Sequence, residues 1–347
     1  MWKDIKYLIA YIAPLSVFFA IYQQGIWSYS AVYVAFVFIP ILDVLSPQSI
    51  DNHPADMEEG RSKIVFFDLM LYLNIPILYL AIVYYFQTLS TGSFETYEIV
   101  GMTLSLGIIV STIGINVAHE LGHRTNKMEQ NMSKTLLLTA LYMHFFIEHN
   151  RGHHKNIATD EDPASARYGE TVYAFWFRSV FGGYKNAWKL EADRLKKIGI
   201  SFWSWKNQML RFQIIQIAYL ATIGFIWGLS MIPYAIAIAI TGFLLLECVN
   251  YIEHYGLRRK KLESGRYEKV NQLHSWNSDH EVGRIFLYEL TRHSDHHFRA
   301  TRKYQILRHF DESPQLPHGY PASILMSLVP PLWFLVMNKK VKAIQVQ

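Results

Sequence analysis

Along this chain, apolar residues run unbroken for about 20 positions at a time, the length an α-helix needs to cross a hydrocarbon core. Six such stretches stand out, at roughly 6–22, 27–46, 64–88, 97–117, 209–229 and 232–253. Neither the period of 3.6 expected of a half-buried helix nor the alternation of a strand replaces them, so the pattern predicts an all-α membrane protein with six spans. The first stretch follows Lys3 and Lys6 as a leader peptide would. No small-residue cleavage site follows "FFAIYQQG", and it is read here as a helix. The remaining segments, 118–208 and 254–347, are mixed in polarity and predict a helical cap at one membrane face. No repeat, low-complexity run or linker divides 1–347, which reads as one unit.

Charge sharpens the topology. No Lys or Arg occurs between Lys63 and Arg124, or between Arg211 and Arg258. The basic residues gather at the N-terminus, in 47–63, in 118–208 and in 254–347. By the positive-inside rule these segments face the cytoplasm, with both termini on that side. Composition agrees: 51% of residues are hydrophobic and 18% charged, against roughly 25% charged in soluble domains. The net charge of +5 is orientation charge, and nothing in its distribution points to nucleic acid. A Gly-rich phosphate or dinucleotide loop is absent. The single cysteine, Cys248, lies within the sixth stretch and reads as packing.

The chemistry resides in histidine. Of the 15, nine fall in four tight groups: His119 and His123 in "HELGH", His149, His153 and His154 in "EHNRGHH", His254 in "NYIEHYG", and His293, His296 and His297 in "RHSDHH". Spacings of three and four place side chains on one helical face, and every group lies at or beyond the same end of an apolar stretch. One layer at the membrane surface can therefore collect all nine. Each group carries a neighbouring acid, Glu120, Glu148, Glu253 or Asp295, and metal-bound imidazoles usually donate their second N–H to such a group. Glu247 and Asn250 add polarity near His254.

"HELGH" alone is the zinc-protease signature. A catalytic zinc takes three protein ligands, and the nearest acid for a third is Asp43 in "ILDVLSP", which would leave seven histidines idle. Soluble carboxylate-bridged di-iron proteins need Glu-x-x-His twice; only Glu120 with His123 fits. A transporter would place polar groups at mid-bilayer, where these stretches are nearly free of them. What remains is a nitrogen-rich site for two metals, and imidazole suits iron, copper and zinc alike.

The four boxes, in this order and spacing, closely resemble those of the membrane-bound alkane monooxygenases, within the histidine-rich di-iron hydroxylases and desaturases. The likeness includes the six spans, "ATDEDPASARYGETVY" and "SWNSDH". It implies two non-haem irons held by the nine histidines, with His274 nearby and His280 a candidate tenth ligand. Glu120, Glu148, Asn250, Glu253 and Asp295 are then candidates for supporting the ligands. His144, His309 and His318 are left as structural or surface residues. The implied reaction takes O2 and a medium- to long-chain n-alkane to a primary alcohol. The alternative within the superfamily is a hydroxylase or desaturase of aryl methyl groups or fatty acyl chains. Electrons would come from rubredoxin, reduced by a flavin reductase, docking on the basic runs "GLRRKK" (256–261) or "RLKK" (194–197). In the family, a bulky side chain on the second span limits substrate depth; the matching position here is Ala35. Arg124, Thr291, Glu281, Arg284 and Glu289 depart from the family's usual residues.

Overall fold

The computed structural model describes residues 2–345. Six helices are long and apolar enough to cross a membrane: Asp4–Gln23, Gly25–Leu45, Val65–Thr91, Thr96–Gly122, Gln208–Trp227 and Leu229–His254. We call them the first to sixth spans. Among the described residues no strand forms; non-helical pairing is confined to isolated bridges such as Gln48 with His280. The all-α, multi-pass architecture expected from the pattern is what the chain adopts. The fourth span runs beyond the expected 117 to Gly122, because its polar tail is buried in protein and escapes the hydropathy limit that lipid imposes.

The fourth span is the hub. In its most apolar window 72% of residues are buried, whereas no other span exceeds 44%. Glycine explains its closeness to the sixth: a Cβ at Gly107 would stand 2.5 Å from Thr241 Cβ, and one at Gly242 would stand 2.7 Å from Val110. Without a hydrophobic drive inside lipid, such small residues let helix backbones approach and gain dispersion contacts. The first two spans form a hairpin through Gln24 and Gly25, whose φ angles of 56° and 52° are left-handed. Gly25 N donates to Glu98 Oε1 at 2.6 Å, and Glu98 also closes the capping box of the fourth span with Glu95. One glutamate thus pins the hairpin to the hub.

The cap covers one end of the bundle. It comprises Lys127–Thr139, the short segment 145–156, the long helix Val172–Lys197, and the small helices Glu281–Phe286 and His293–Phe298. Two further helices, Tyr320–Ser327 and Pro330–Gln345, are jointly apolar enough for a span but meet at a bend of 119°. They pack on the sixth span, where Trp333 lies 5.4 Å from the rings of both Tyr251 and Tyr255. The sequence pattern had assigned this region to the cap without distinguishing the pair.

Candidate metal centre

His119 lies in the last turn of the fourth span, and His123 is the residue that caps its end, four positions on. His254 is the last residue of the sixth. The second box has an unusual backbone. Helix Phe145–Glu148 continues as a π turn, His149–His153, before returning to α geometry at His154. A π turn closes i→i+5 hydrogen bonds, so residues five apart come onto one face. Glu191 steadies this box from the cap: its Oε2 accepts from Arg151 at 3.0 Å, and its Oε1 accepts from Arg194 at 2.7 Å and from Gln208 N at 2.8 Å.

The consequence is a sorted pair of sites. His119, His123, His149, His154 and His296 form one group, and His153, His254, His293 and His297 form the other, with ligand atoms in each group all within 4.8 Å of one another. In the first, Nε2 atoms approach at 3.1 Å (His149–His123), 3.0 Å (His154–His149) and 3.2 Å (His296–His154). In the second the separations are 3.3 Å (His153–His297), 3.3 Å (His293–His254) and 2.8 Å (His297–His293). Imidazoles do not crowd their Nε2 atoms in this way to hydrogen-bond, since each proton could serve a single neighbour. Metal–nitrogen bonds of about 2.1 Å set at right angles would put adjacent ligand atoms ~3.0 Å apart. The observed spacing has that size. His119 Nε2 is buried with no hydrogen-bond partner, a costly state for a polar atom unless a metal completes it.

Protonation fits the same use. Burial, helped by neighbouring imidazoles, drives His149, His154, His293, His296 and His297 well below the usual histidine range, and pushes His123 down to about 3. These rings are therefore neutral, the form that binds metal. His153 moves upward: burial lowers it, but the carboxylates around it, Asp162 foremost and then Glu148 and Glu247, together more than offset that.

Asp162 was not singled out by sequence, although it lies in the "ATDEDPASARYGETVY" segment. Its Oδ2 accepts from His153 Nδ1 at 2.8 Å and from Ser165 Oγ at 2.5 Å, while Oδ1 accepts from Ala164 N at 3.0 Å. This fixes the tautomer that leaves Nε2 of His153 free for a metal. The acids that adjoin histidines in sequence behave differently. Glu120 turns to Arg124, at 2.7 Å, and to Tyr304 N, at 3.2 Å. Glu148 accepts from Asn186 at 3.2 Å. Asp295 is held by Arg302 and by Arg308 N, both at 2.8 Å. Asn250 donates to Glu247 at 3.2 Å. Glu253 alone of these meets an imidazole, with Oε2 3.1 Å from His293 Nε2 and Oε1 2.9 Å from Tyr320 OH. It faces Nε2 of His293, the nitrogen that this ring turns toward His254 and His297.

Other histidines lie elsewhere. His280 pairs with Ser278 Oγ, His274 with Asn271 N and Glu268, and His309 with Asp279 and Asp311. His144 packs on Tyr142, with ring centroids 4.2 Å apart. Asp43 accepts from Gly283 N at 2.9 Å and belongs to neither histidine group. Of the basic runs, Arg194 is committed to Glu191, and Arg259 bonds the carbonyls of Lys155, Ile157 and Glu268. Lys196, Lys197, Lys260 and Lys261 are exposed.

An apolar cavity runs from His119, His149 and His293 into the bundle between the first, second, fourth and sixth spans. Ala35 lines it, as do Asn250 and Glu253. Two of these spans, the second and the fourth, carry π turns beside it, Val34–Phe38 and Val110–Ile115, irregularities that often accompany functional sites.

The sequence profile of the fatty acid desaturase family matches residues 96–324, which takes in all four histidine boxes. The chain is 41% identical to an alkane 1-monooxygenase of Acinetobacter baylyi over 308 residues, 89% of this chain and 75% of that protein. It is 40% identical to one of Pseudomonas putida over 87% of this chain and 75% of the relative. A xylene/toluene monooxygenase hydroxylase component of Pseudomonas putida is more distant, at 28% over 92% of this chain and 83% of that one. Histidine boxes, spans and overall likeness agree, and the chain belongs to the alkane 1-monooxygenase family, within the wider fatty acid desaturase family.

Proposed function

We propose that the protein hydroxylates n-alkanes at the terminal carbon, with two irons held by the two histidine groups. The observation that carries this is that histidines of both groups, His119 and His149 of one and His293 of the other, line an apolar cavity inside a membrane bundle. The overall change consumes one alkane, one O2, two protons and two electrons, and yields a primary alcohol and water. Redox-active iron supplies O2 activation when bound, chemistry that redox-inert zinc lacks. The nine imidazoles hold the metals and Asp162 orients one of them. Glu253, gripped by Tyr320, offers a carboxylate beside the four-histidine group. The cavity does the selecting. An alkane has no polar handle, so apolar walls can only align its length and present its end to His119 and His293.

In this reading the site faces the cytoplasm of a bacterial inner membrane, because basic residues flank it. Rubredoxin delivers the electrons, with its reductase upstream. Its docking rests on Lys196, Lys197, Lys260 and Lys261, because the arginines of the same runs are occupied holding loops. Two measurements test the function. Metal analysis of the purified protein should give two irons per chain, and one zinc would overturn the reading. Octane supplied with O2 and a rubredoxin system should give 1-octanol; an alkene would make the protein a desaturase.

Chain length follows from Ala35. A methyl side chain there leaves the cavity open along the second span, so yields should persist from octane into longer alkanes. Ala35→Trp should cut alcohol from dodecane by at least about tenfold while sparing octane, since a buried indole displaces the substrate's far end. Equal losses for both substrates would show that Ala35 does not set depth.

A further inference from the structure

The inner cavity has a neighbour on the outside of the bundle. A groove between the first and second spans opens outward and is lined by Ile12, Leu15, Phe19, Trp27, Tyr33 and Phe38, among others. Leu15 and Phe38 are 60% and 55% exposed. In a spanning hairpin such residues face lipid. Val34 lines both spaces, so its side chain stands in the wall between lipid and cavity. The rest of that wall is thin: Ala13 and Ala31 line the cavity, and Ser16 and Ser30 line the groove.

Both backbones are irregular at this place. The first span changes from a 3-10 helix, Trp2–Tyr11, to an α-helix, Ile12–Gln23, with Pro14 in its first turn. The second widens into the π turn Val34–Phe38. Proline and π turns are the usual points at which helices bend, so two weak points face each other across the groove. Val34 also lies 11 residues before the end of the second span at Leu45, about 16 Å from it. That puts it near the middle of the hydrocarbon, where an alkane dissolved in the membrane resides.

We infer that this groove is the lateral portal by which the alkane leaves the bilayer, with Val34 as its gate. The inference rests on the alkane reading above and adds the route. It is tested with the full-length protein in phosphatidylcholine nanodiscs, loaded with methyl-13C octane or dodecane. The exchange rate between bound and lipid-dissolved alkane is read by NMR alongside metal content. Val34→Trp should slow exchange of both alkanes about tenfold, and Val34→Ala should speed it about threefold, because a gate acts on rates in both directions. Metal content should stay at the wild-type value. Should Val34→Trp fail to fold, the Val34→Ala acceleration still decides. Wild-type exchange rates in the variants would overturn the portal. So would slowing confined to dodecane, which would make Val34 a depth-limiting wall. Absence of bound alkane in the wild-type protein would overturn the substrate reading itself, and the portal with it.

Discussion

Alanine at His149 and alanine at His153 should each leave the protein with one bound metal in place of two, and the lost metal should differ. The two residues are four apart, which in an α-helix would make them partners on one ion. The π turn His149–His153 separates them: His149 joins His154, and His153 joins His254. Double substitutions expose the sorting. His123→Ala with His149→Ala removes two ligands of the five-histidine group and should still leave one metal per chain. His149→Ala with His153→Ala strikes both groups and should leave none. Under the α-helical pairing the outcomes would reverse, with the second pair retaining one. Metal quantitation on protein purified in parallel reads the difference, and no assay of turnover is needed. Activity should vanish in all four variants, since the proposed chemistry uses both ions. Effects within one group should be non-additive and those across groups additive, as for any residues that act as a unit.

This sorting marks the boundary of what sequence reveals. The spans were legible because lipid tolerates only long apolar helices, and their ends agree with the pattern to within a few residues. The nine histidines were legible as a set because they recur at helical spacing beside those ends. Their division was not, since it depends on a backbone irregularity that side-chain spacing does not encode. The supporting acids were harder still. A residue next to a histidine on a helix projects from another face, so Glu120, Glu148 and Asp295 reach other partners. The carboxylate that does serve His153 is Asp162, nine residues on, returned by a turn in which its own oxygens bond Ser165 and Ala164. Glu253 is the exception because its partner His293 comes from a different element.

Glu120→Ala should destabilise the fold by about 3 kcal/mol, whether or not metal is bound. The carboxylate is buried at the end of the fourth span and bonds Arg124 through Nη2 at 2.7 Å and Nε at 3.1 Å. Arg124 is itself buried, and its other carboxylates are less close, Asp68 at 3.3 Å and Glu129 at 3.9 Å. Removing one partner of a buried pair strands the other charge, at about 3–5 kcal/mol. The two remaining carboxylates argue for the lower end. Tyr304 N would lose its acceptor as well, while its hydroxyl keeps Phe67 O and its ring stays packed on Phe67 and Tyr288. Glu120→Gln keeps an acceptor and should cost less, about 1–3 kcal/mol. A thermal or proteolytic unfolding series on metal-free and metal-loaded protein separates this role from direct support of His119. As a clamp, Glu120 contributes equally to both forms, and a double-mutant cycle with Arg124→Ala should return a coupling of about 1–3 kcal/mol. As a partner of the metal ligands, it would leave the metal-free protein unchanged and lower only the gain in stability on loading. The hydrogen bonds favour the clamp: both donor residues, Arg124 and Tyr304, approach the same oxygen, and neither is a histidine.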